Sequence, residues 1–249
     1  MMGWIFLFLG IGGSCFWLSL HQPFPEISRR YAYLVLLAGS VLIISEQGPR
    51  ETSETVPMYF ALGLGVLGTV KGSWDMTRTM RDVIVAPFAG GMLCAGSAAL
   101  LVGWWDEGGT YEHISSFILV SALILMEIYL VFRGLIIGVP GLSWSKAGLR
   151  QIQRGLLEGP SGAISCFERS WDADEEWLGA MSHAALIQIY IHLEREESAK
   201  NSEKYLEEFG GWDVVDSAWI DAINSALNSV SESKSVSYTH LTLPTILLV

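Results

Sequence analysis

Residues 115–138 read SSFILVSALILMEIYLVFRGLIIG. The segment is almost entirely apolar, and its only charged residues are Glu127 and Arg133. A helix of about 20 apolar residues is long enough to cross the hydrocarbon core of a bilayer. The segment therefore predicts a transmembrane helix, and it makes lipid part of the solvent in which this chain folds.

The composition of the whole chain agrees with a membrane protein. Hydrophobic residues make up 51% of the 249 residues, and the mean hydropathy is +0.38. Charged residues are 16%, against about 25% in an average soluble domain. The three cysteines form no C-x-x-C pair, so we expect neither a disulfide framework nor a zinc site.

Four more apolar segments lie before residues 115–138 in the chain, at residues 3–20, 31–46, 56–71 and 83–105. The weakest is 56–71, which is short and ends at Lys71, a residue that can extend its ammonium group to the lipid headgroups. We predict an all-α fold in which residues 1–139 form a polytopic bundle of about five transmembrane helices. A bundle of four spans with 56–71 as a re-entrant segment stays open as an alternative.

The loops between these segments differ in their content of lysine and arginine. Counted along the chain, the four loops hold two, one, three and no basic residues. Four follow at the end of the last span and after it, Arg133, Lys146, Arg150 and Arg154. Basic residues are retained on the cytoplasmic side of a membrane. The alternation predicts a cell-membrane protein with its N-terminus outside and its C-terminus in the cytoplasm.

Small residues recur every fourth position in the segment 83–105. They form two adjoining ridges: Ala86, Gly90, Cys94 and Ala98, and then Gly91, Ala95, Ala99 and Gly103. Small residues at this spacing let helices approach closely in lipid. We therefore predict that this helix is central in the bundle, with Gly10 and Ser14 of the first span and Ala61 and Gly65 of the third as partners.

The third span also contains a G-x-G-x-x-G pattern at residues 63–68. A dinucleotide site needs a strand before this pattern and a βαβ unit around it. Neither is predicted here, so we interpret these residues as packing glycines and expect no cofactor.

After residue 139 the chain becomes acidic, with 8 basic and 16 acidic residues. Residues 140–158 are predicted to form a juxtamembrane amphipathic helix, in which Lys146, Arg150 and Arg154 share one face. These cations either contact lipid headgroups or only fix the topology of the preceding span. The acidic balance argues against nucleic acid as a partner.

Residues 159–235 are predicted to form a small cytoplasmic helical domain. We expect helices at 173–199, 202–209 and 214–230. Asp172 and Glu175 resemble a capping box at the start of the first of these helices, and Gly210-Gly211 is typical of the end of the second.

The final residues, 236–249, read VSYTHLTLPTILLV. Their core, SYTHLTLPT, resembles a translated sequencing-adapter fragment. We therefore interpret 236–249 as a non-native tail and leave it out of the fold prediction.

The sequence contains no recognisable catalytic, cofactor or metal motif. Glu127 is the exception to a purely structural interpretation, because a carboxylate within a span is costly unless it is neutral, paired or hydrated. The first hypothesis is a non-enzymatic membrane protein whose cytoplasmic domain docks a protein partner. The alternative is a transporter or channel subunit that uses Glu127 and forms a homo-oligomer. A membrane-embedded enzyme is the third hypothesis.

Overall fold

The computed structural model describes residues 1–49, 53–105, 108–171 and 176–240, with the backbone alone for 176 and 232–240. All regular elements within these ranges are helical. The chain divides into two compact units, residues 1–139 and 140–249.

The described residues of the first unit form five α-helices. They are α1 (Met2–Ser19), α2 (Pro25–Glu46), α3 (Thr55–Trp74), α4 (Val85–Gly103) and α5 (Thr110–Val131). A π-helical turn, Asp75–Thr79, continues α3, and another, Phe132–Ile136, continues α5.

Four of these helices are long and apolar enough to cross a membrane: α1, α2, α4, and α5 together with its continuation to Ile136. The chain is therefore an all-helical protein with the character of a membrane protein. Helix α3 has 20 residues, enough in length for a span. Helix α3 is not among the four helices that are apolar enough to span. Lys71 and the glycines of α3 lower the apolar content of this helix.

Glycines bring α3 and α4 into backbone contact. A Cβ atom on Gly65 would lie 2.6 Å from the backbone nitrogen of Leu93, and one on Gly72 would lie 2.5 Å from that of Ala86. From Gly65 to Gly72 along α3, the contacted residue in α4 changes from Leu93 to Ala86. The two helices therefore run antiparallel. The expected contact of Gly65 with the fourth span is confirmed.

Helix α1 packs on α2. A Cβ atom on Gly12 would lie 2.7 Å from Leu36 Cγ, and one on Gly39 of α2 would lie 3.1 Å from Phe8 Cβ. Gly10 and Ser14, the predicted partners of the fourth span, are both exposed. That prediction is wrong, because α1 turns the face with Gly12 toward α2.

Helix α4 contacts each of the other four helices of this unit, as expected for a central helix. Of its predicted ridges, Ala86 and Gly90 are buried. Five members are half-buried: Gly91, Cys94, Ala95, Ala98 and Ala99. Gly103 is exposed at the end of α4, and a Cβ atom there would meet no described residue within 4 Å. The ridge therefore ends before Gly103 within this unit.

A further five α-helices occur in the described ranges of the second unit. They are α6 (Gly141–Gln153), α7 (Ala163–Trp171), α8 (Glu176–His192), α9 (Glu196–Glu208) and α10 (Ser217–His240), with a 3₁₀ turn at Trp212–Val214. Its core joins α6, α7, α8 and α10 through Ile152, Phe167, Ile189 and Ile223, all fully buried.

Two sequence expectations change in this unit. The helix predicted at 173–199 is divided, because Glu194 adopts a positive φ of 58° between α8 and α9. Helix α10 continues past residue 230 and takes in residues 236–240 of the predicted tail. Asp172, Glu175 and residues 241–249 lie outside the described residues.

The amphipathic helix predicted before the domain is part of this unit. Ile152 on its apolar face is fully buried in the core, and Gly148 packs against the ring of Phe167. Most of the apolar face of α6 is therefore covered by protein.

Candidate functional site

The second unit has an open groove between α8 and α9 with a volume of about 440 Å³. Both helices and the 3₁₀ turn that follows them contribute to it. Its lining residues are Ile187, Gln188, Ile191, Glu194, Arg195, Glu196, Ala199, Lys200, Glu203 and Trp212.

A tight helical hairpin creates this groove. The amide of Glu194 donates to the Ile191 carbonyl at 3.0 Å, and the amide of Arg195 donates to the Tyr190 carbonyl at 2.8 Å. These two bonds close the end of α8 in the pattern of a Schellman motif, with Glu194 in the left-handed conformation that glycine usually occupies. The chain reverses at once, so α9 returns beside α8.

The floor of the groove is apolar and open to solvent. Ile191 is 59% exposed and Trp212 is 38% exposed, while Ile187 below them is buried. Covering such side chains releases about 25 cal/mol for each Å² of apolar surface removed from water. The groove is thus suited to an apolar side chain from another molecule.

The rim of the groove is acidic. Three carboxylates line it, those of Glu194, Glu196 and Glu203, against two cations, Arg195 and Lys200. The guanidinium of Arg195 forms an ion pair with Glu158, which does not line the groove. A ligand with basic residues beside its apolar face would match this rim.

The sequence analysis did not identify this groove. Ile191 lies within the helix predicted at 173–199, and Trp212 follows the glycine pair that ends α9. Large apolar residues outside a predicted core face are the signal that could have indicated an exposed site.

Close to the groove, His183 lies in an aromatic cluster. Its ring stacks on Tyr205 and Phe209 at centroid distances of 5.3 and 5.9 Å, with Trp171 at 5.4 Å. His183 is 4% exposed, and neither ring nitrogen has a hydrogen-bond partner among the residues that the structure describes. Burial lowers the pKa of His183, against the opposing effect of Glu208. The imidazole is therefore held in its neutral form.

Glu127, singled out from the sequence, lies against α4. Its carboxylate sits over Gly90, and Oε1 is 3.5 Å from the position of a Cβ atom on Gly91. Oε2 is shielded from solvent and has no hydrogen-bond partner among the described residues. Nearby, the Cys94 thiol donates to the Leu123 carbonyl at 3.4 Å. The absence of side chains at Gly90 and Gly91 makes room for this carboxylate between the helices.

The three cations predicted to contact lipid headgroups are on α6 or directly after it. Lys146 and Arg154 are exposed and Arg150 is half-buried. Arg150 and Arg154 each interact with other residues of the chain. Their contact with headgroups stays a prediction.

No group of three or more His, Cys, Asp or Glu side chains suited to a metal ion occurs in the part of the chain that the structure describes. No protein family, curated protein sequence or solved structure matches this chain. Its function is therefore inferred from the geometry of its own residues.

Proposed function

We propose that the protein is a multi-pass membrane adaptor without enzymatic activity, whose second unit lies in the cytoplasm and docks a partner protein. The partner presents a segment with an apolar face and basic residues, which occupies the α8–α9 groove. The observation that carries this proposal is the exposed pair Ile191 and Trp212 within an acidic rim. Amphipathic helices bind apolar grooves of this type through a few anchoring side chains.

A five-span topology in the cell membrane is part of the proposal. Helix α4 is apolar enough to span, and α3 runs antiparallel to it in backbone contact from Gly65 to Gly72. A helix packed in this way occupies the same depth of the bilayer as its neighbour. Together with the loop charges, this packing supports an external N-terminus and a cytoplasmic second unit.

Site-specific photo-crosslinking in native membranes tests the docking groove. A photoreactive residue in place of Ile191 should form an adduct with a partner, and the crosslinked peptide should be an amphipathic segment rich in lysine or arginine. The matched control carries the same residue in place of Lys204, which is exposed on α9 but does not line the groove.

Charge reversal at the rim provides the second arm of this experiment. Glu196→Lys combined with Glu203→Lys should abolish the adduct formed from position 191. An adduct that survives the reversal, or equal adducts from positions 191 and 204, would contradict the proposed groove.

Cysteine labelling tests the topology. Ser53 before α3 and Thr77 after it are both exposed. In the five-span topology, a membrane-impermeant maleimide labels Ser53→Cys in intact cells and labels Thr77→Cys only after permeabilisation. A re-entrant α3 would place both cysteines on the same side, and both would then label alike.

Glu127 favours a second candidate function, movement of a proton or cation by a homo-oligomer. The supporting observation is the shielded Oε2 atom in the interior of a span, which has no hydrogen-bond partner in the described part of the chain. In proteoliposomes, Glu127→Gln should abolish the flux, while Glu112→Gln, at the exposed start of α5, should leave it intact. Equal flux in the wild type and Glu127→Gln would remove this candidate.

A further inference from the structure

A cleft of about 520 Å³ opens between α2 and α3 in the first unit. Its walls are mostly apolar and include Ile27 and Leu34 of α2, and Leu64 and Leu67 of α3. Tyr31 forms part of the wall, and its hydroxyl donates to the Leu64 carbonyl at 3.5 Å. In a membrane, a cleft with such walls accepts a hydrocarbon chain.

One end of the cleft is cationic. Arg30, Lys71 and Arg81 line it together with a single carboxylate, Asp75. Both carboxylate oxygens of Asp75 accept hydrogen bonds from Lys71 Nζ at 2.7 Å. Arg30 and Arg81 are exposed. With three cations and one carboxylate, this end of the cleft has a formal charge of +2.

The fold holds Arg81 at this end of the cleft. The π-helical turn after α3 closes with the Arg81 amide donating to the Asp75 carbonyl at 3.0 Å. Met80 adopts a positive φ of 53° to allow this turn. The Arg81 guanidinium then lies 5.8 Å from the centroid of the Phe24 ring.

A second apolar groove shares two residues with the cleft. It has a volume of about 390 Å³ and is lined by Val66, Leu67, Val70, Lys71 and Trp74. Leu67 and Lys71 line both cavities. Two hydrocarbon-sized spaces thus share Leu67, and both have Lys71 of the cationic end in their lining.

We propose that this site binds one anionic diacyl phospholipid of the inner leaflet. Its phosphate lies among Arg30, Lys71 and Arg81, and its two acyl chains occupy the cavities on either side of Leu67. The assignment to the inner leaflet rests on the proposed five-span topology, but the proposal does not depend on the docking groove of the second unit.

The shape and charge of the site favour a lipid over a free phosphate ester. A free phosphate ester uses only the cationic end and leaves the apolar walls unoccupied. A zwitterionic lipid fills the walls but adds a positive group beside a formal charge of +2. An anionic lipid suits both the apolar walls and the cationic end. Each arginine or lysine near a membrane surface contributes about fivefold to the binding of anionic lipid.

Native mass spectrometry of the full-length protein, released from detergent, tests the proposal with phosphatidylglycerol and phosphatidylcholine. Phosphatidylglycerol should bind more tightly. Arg30→Gln combined with Arg81→Gln should weaken it about 30-fold, because two cations are lost, and should leave phosphatidylcholine unchanged. Leu34→Trp, which fills the cleft, should weaken both lipids.

Arg78→Gln is the matched control. Arg78 is an exposed cation of the same turn, 5.9 Å from the Trp74 ring, and it does not line the cleft. Binding of phosphatidylglycerol should be unchanged in this variant. Equal thermal unfolding of all variants in lipid-free detergent will show that they fold alike.

Three outcomes would overturn the proposal. They are equal affinity for the two lipids, a loss in Arg78→Gln as large as in the double variant, and displacement of phosphatidylglycerol by millimolar glycerol phosphate. The last outcome would show that the cationic end binds a free phosphate ester without need of the acyl chains.

Discussion

The hydroxyl of Ser28 donates a hydrogen bond to Asp82 Oδ2, although the two residues lie 54 positions apart in the sequence. The other carboxylate oxygen, Oδ1, accepts from the amides of Ile84 at 3.0 Å and Val85 at 2.8 Å and thereby caps the start of α4. Ser28 and Asp82 are both buried. One carboxylate thus joins the beginning of α2 to the beginning of α4.

Removing this carboxylate should destabilise the first unit. Asp82→Ala leaves the Ser28 hydroxyl buried without its acceptor and leaves the α4 amides uncapped, at a cost of about 1–3 kcal/mol. Ser28→Ala should cost less, because the two amide bonds to Asp82 remain. Thermal unfolding of the purified protein in detergent measures both effects. Ser40→Ala, which removes an exposed hydroxyl bonded within α2, should have little effect; an equal loss in Ser40→Ala would contradict this role of Asp82.

The contact between α3 and α4 depends on the absence of a side chain at Gly65. Gly65→Ala places a methyl group 2.6 Å from the Leu93 backbone nitrogen and forces the two helices apart, at an expected cost of about 1–3 kcal/mol. Gly63→Ala is the control, because a Cβ atom there meets nothing within 4 Å. Thermal unfolding in detergent should separate the two variants, and equal stability would show that α3 does not pack as described.

The stability of the second unit should fall as the pH falls below about 6.5, the pKa of an unperturbed histidine. Burial holds the pKa of His183 below that value, so the unfolded chain binds a proton that the folded chain does not. Hydrogen exchange of α8 and α9 in the full-length protein, corrected for intrinsic rates, should therefore increase in acid. His183→Phe should remove this dependence, while His192→Asn should retain it. An identical pH profile in His183→Phe would contradict this assignment.

Replacing Glu194 with glycine should stabilise the α8–α9 hairpin. A left-handed conformation costs a residue with a side chain about 1–2 kcal/mol, and glycine is free of that cost. The same substitution at Glu197, in the first turn of α9, should destabilise the helix by about 0.5–1 kcal/mol. Hydrogen exchange of the hairpin amides measures both changes, and a destabilised Glu194→Gly would show that the positive φ is not strained.

The candidate groove shows where local sequence patterns lose their predictive value. The sequence predicts the end of α9 correctly, because Gly210-Gly211 is a local signal, and Gly210 has a positive φ of 102°. It places the break between α8 and α9 too late, between residues 199 and 202, because the residue in the left-handed conformation at the observed break is glutamate and not glycine. The groove exists only because that division lets α9 return beside α8.

By itself, the sequence determined the helical class of this protein and its membrane character. Both follow from apolar length and composition, which act locally along the chain. The sequence already indicated a contact for Gly65. Only the tertiary structure decided that Gly12 and Gly72 face a neighbouring helix, while Gly10, Gly63 and Gly103 meet nothing within 4 Å among the described residues. The physical reason is that a glycine has no side chain that could select a partner. Its contacts are set by the rotation of two helices against each other.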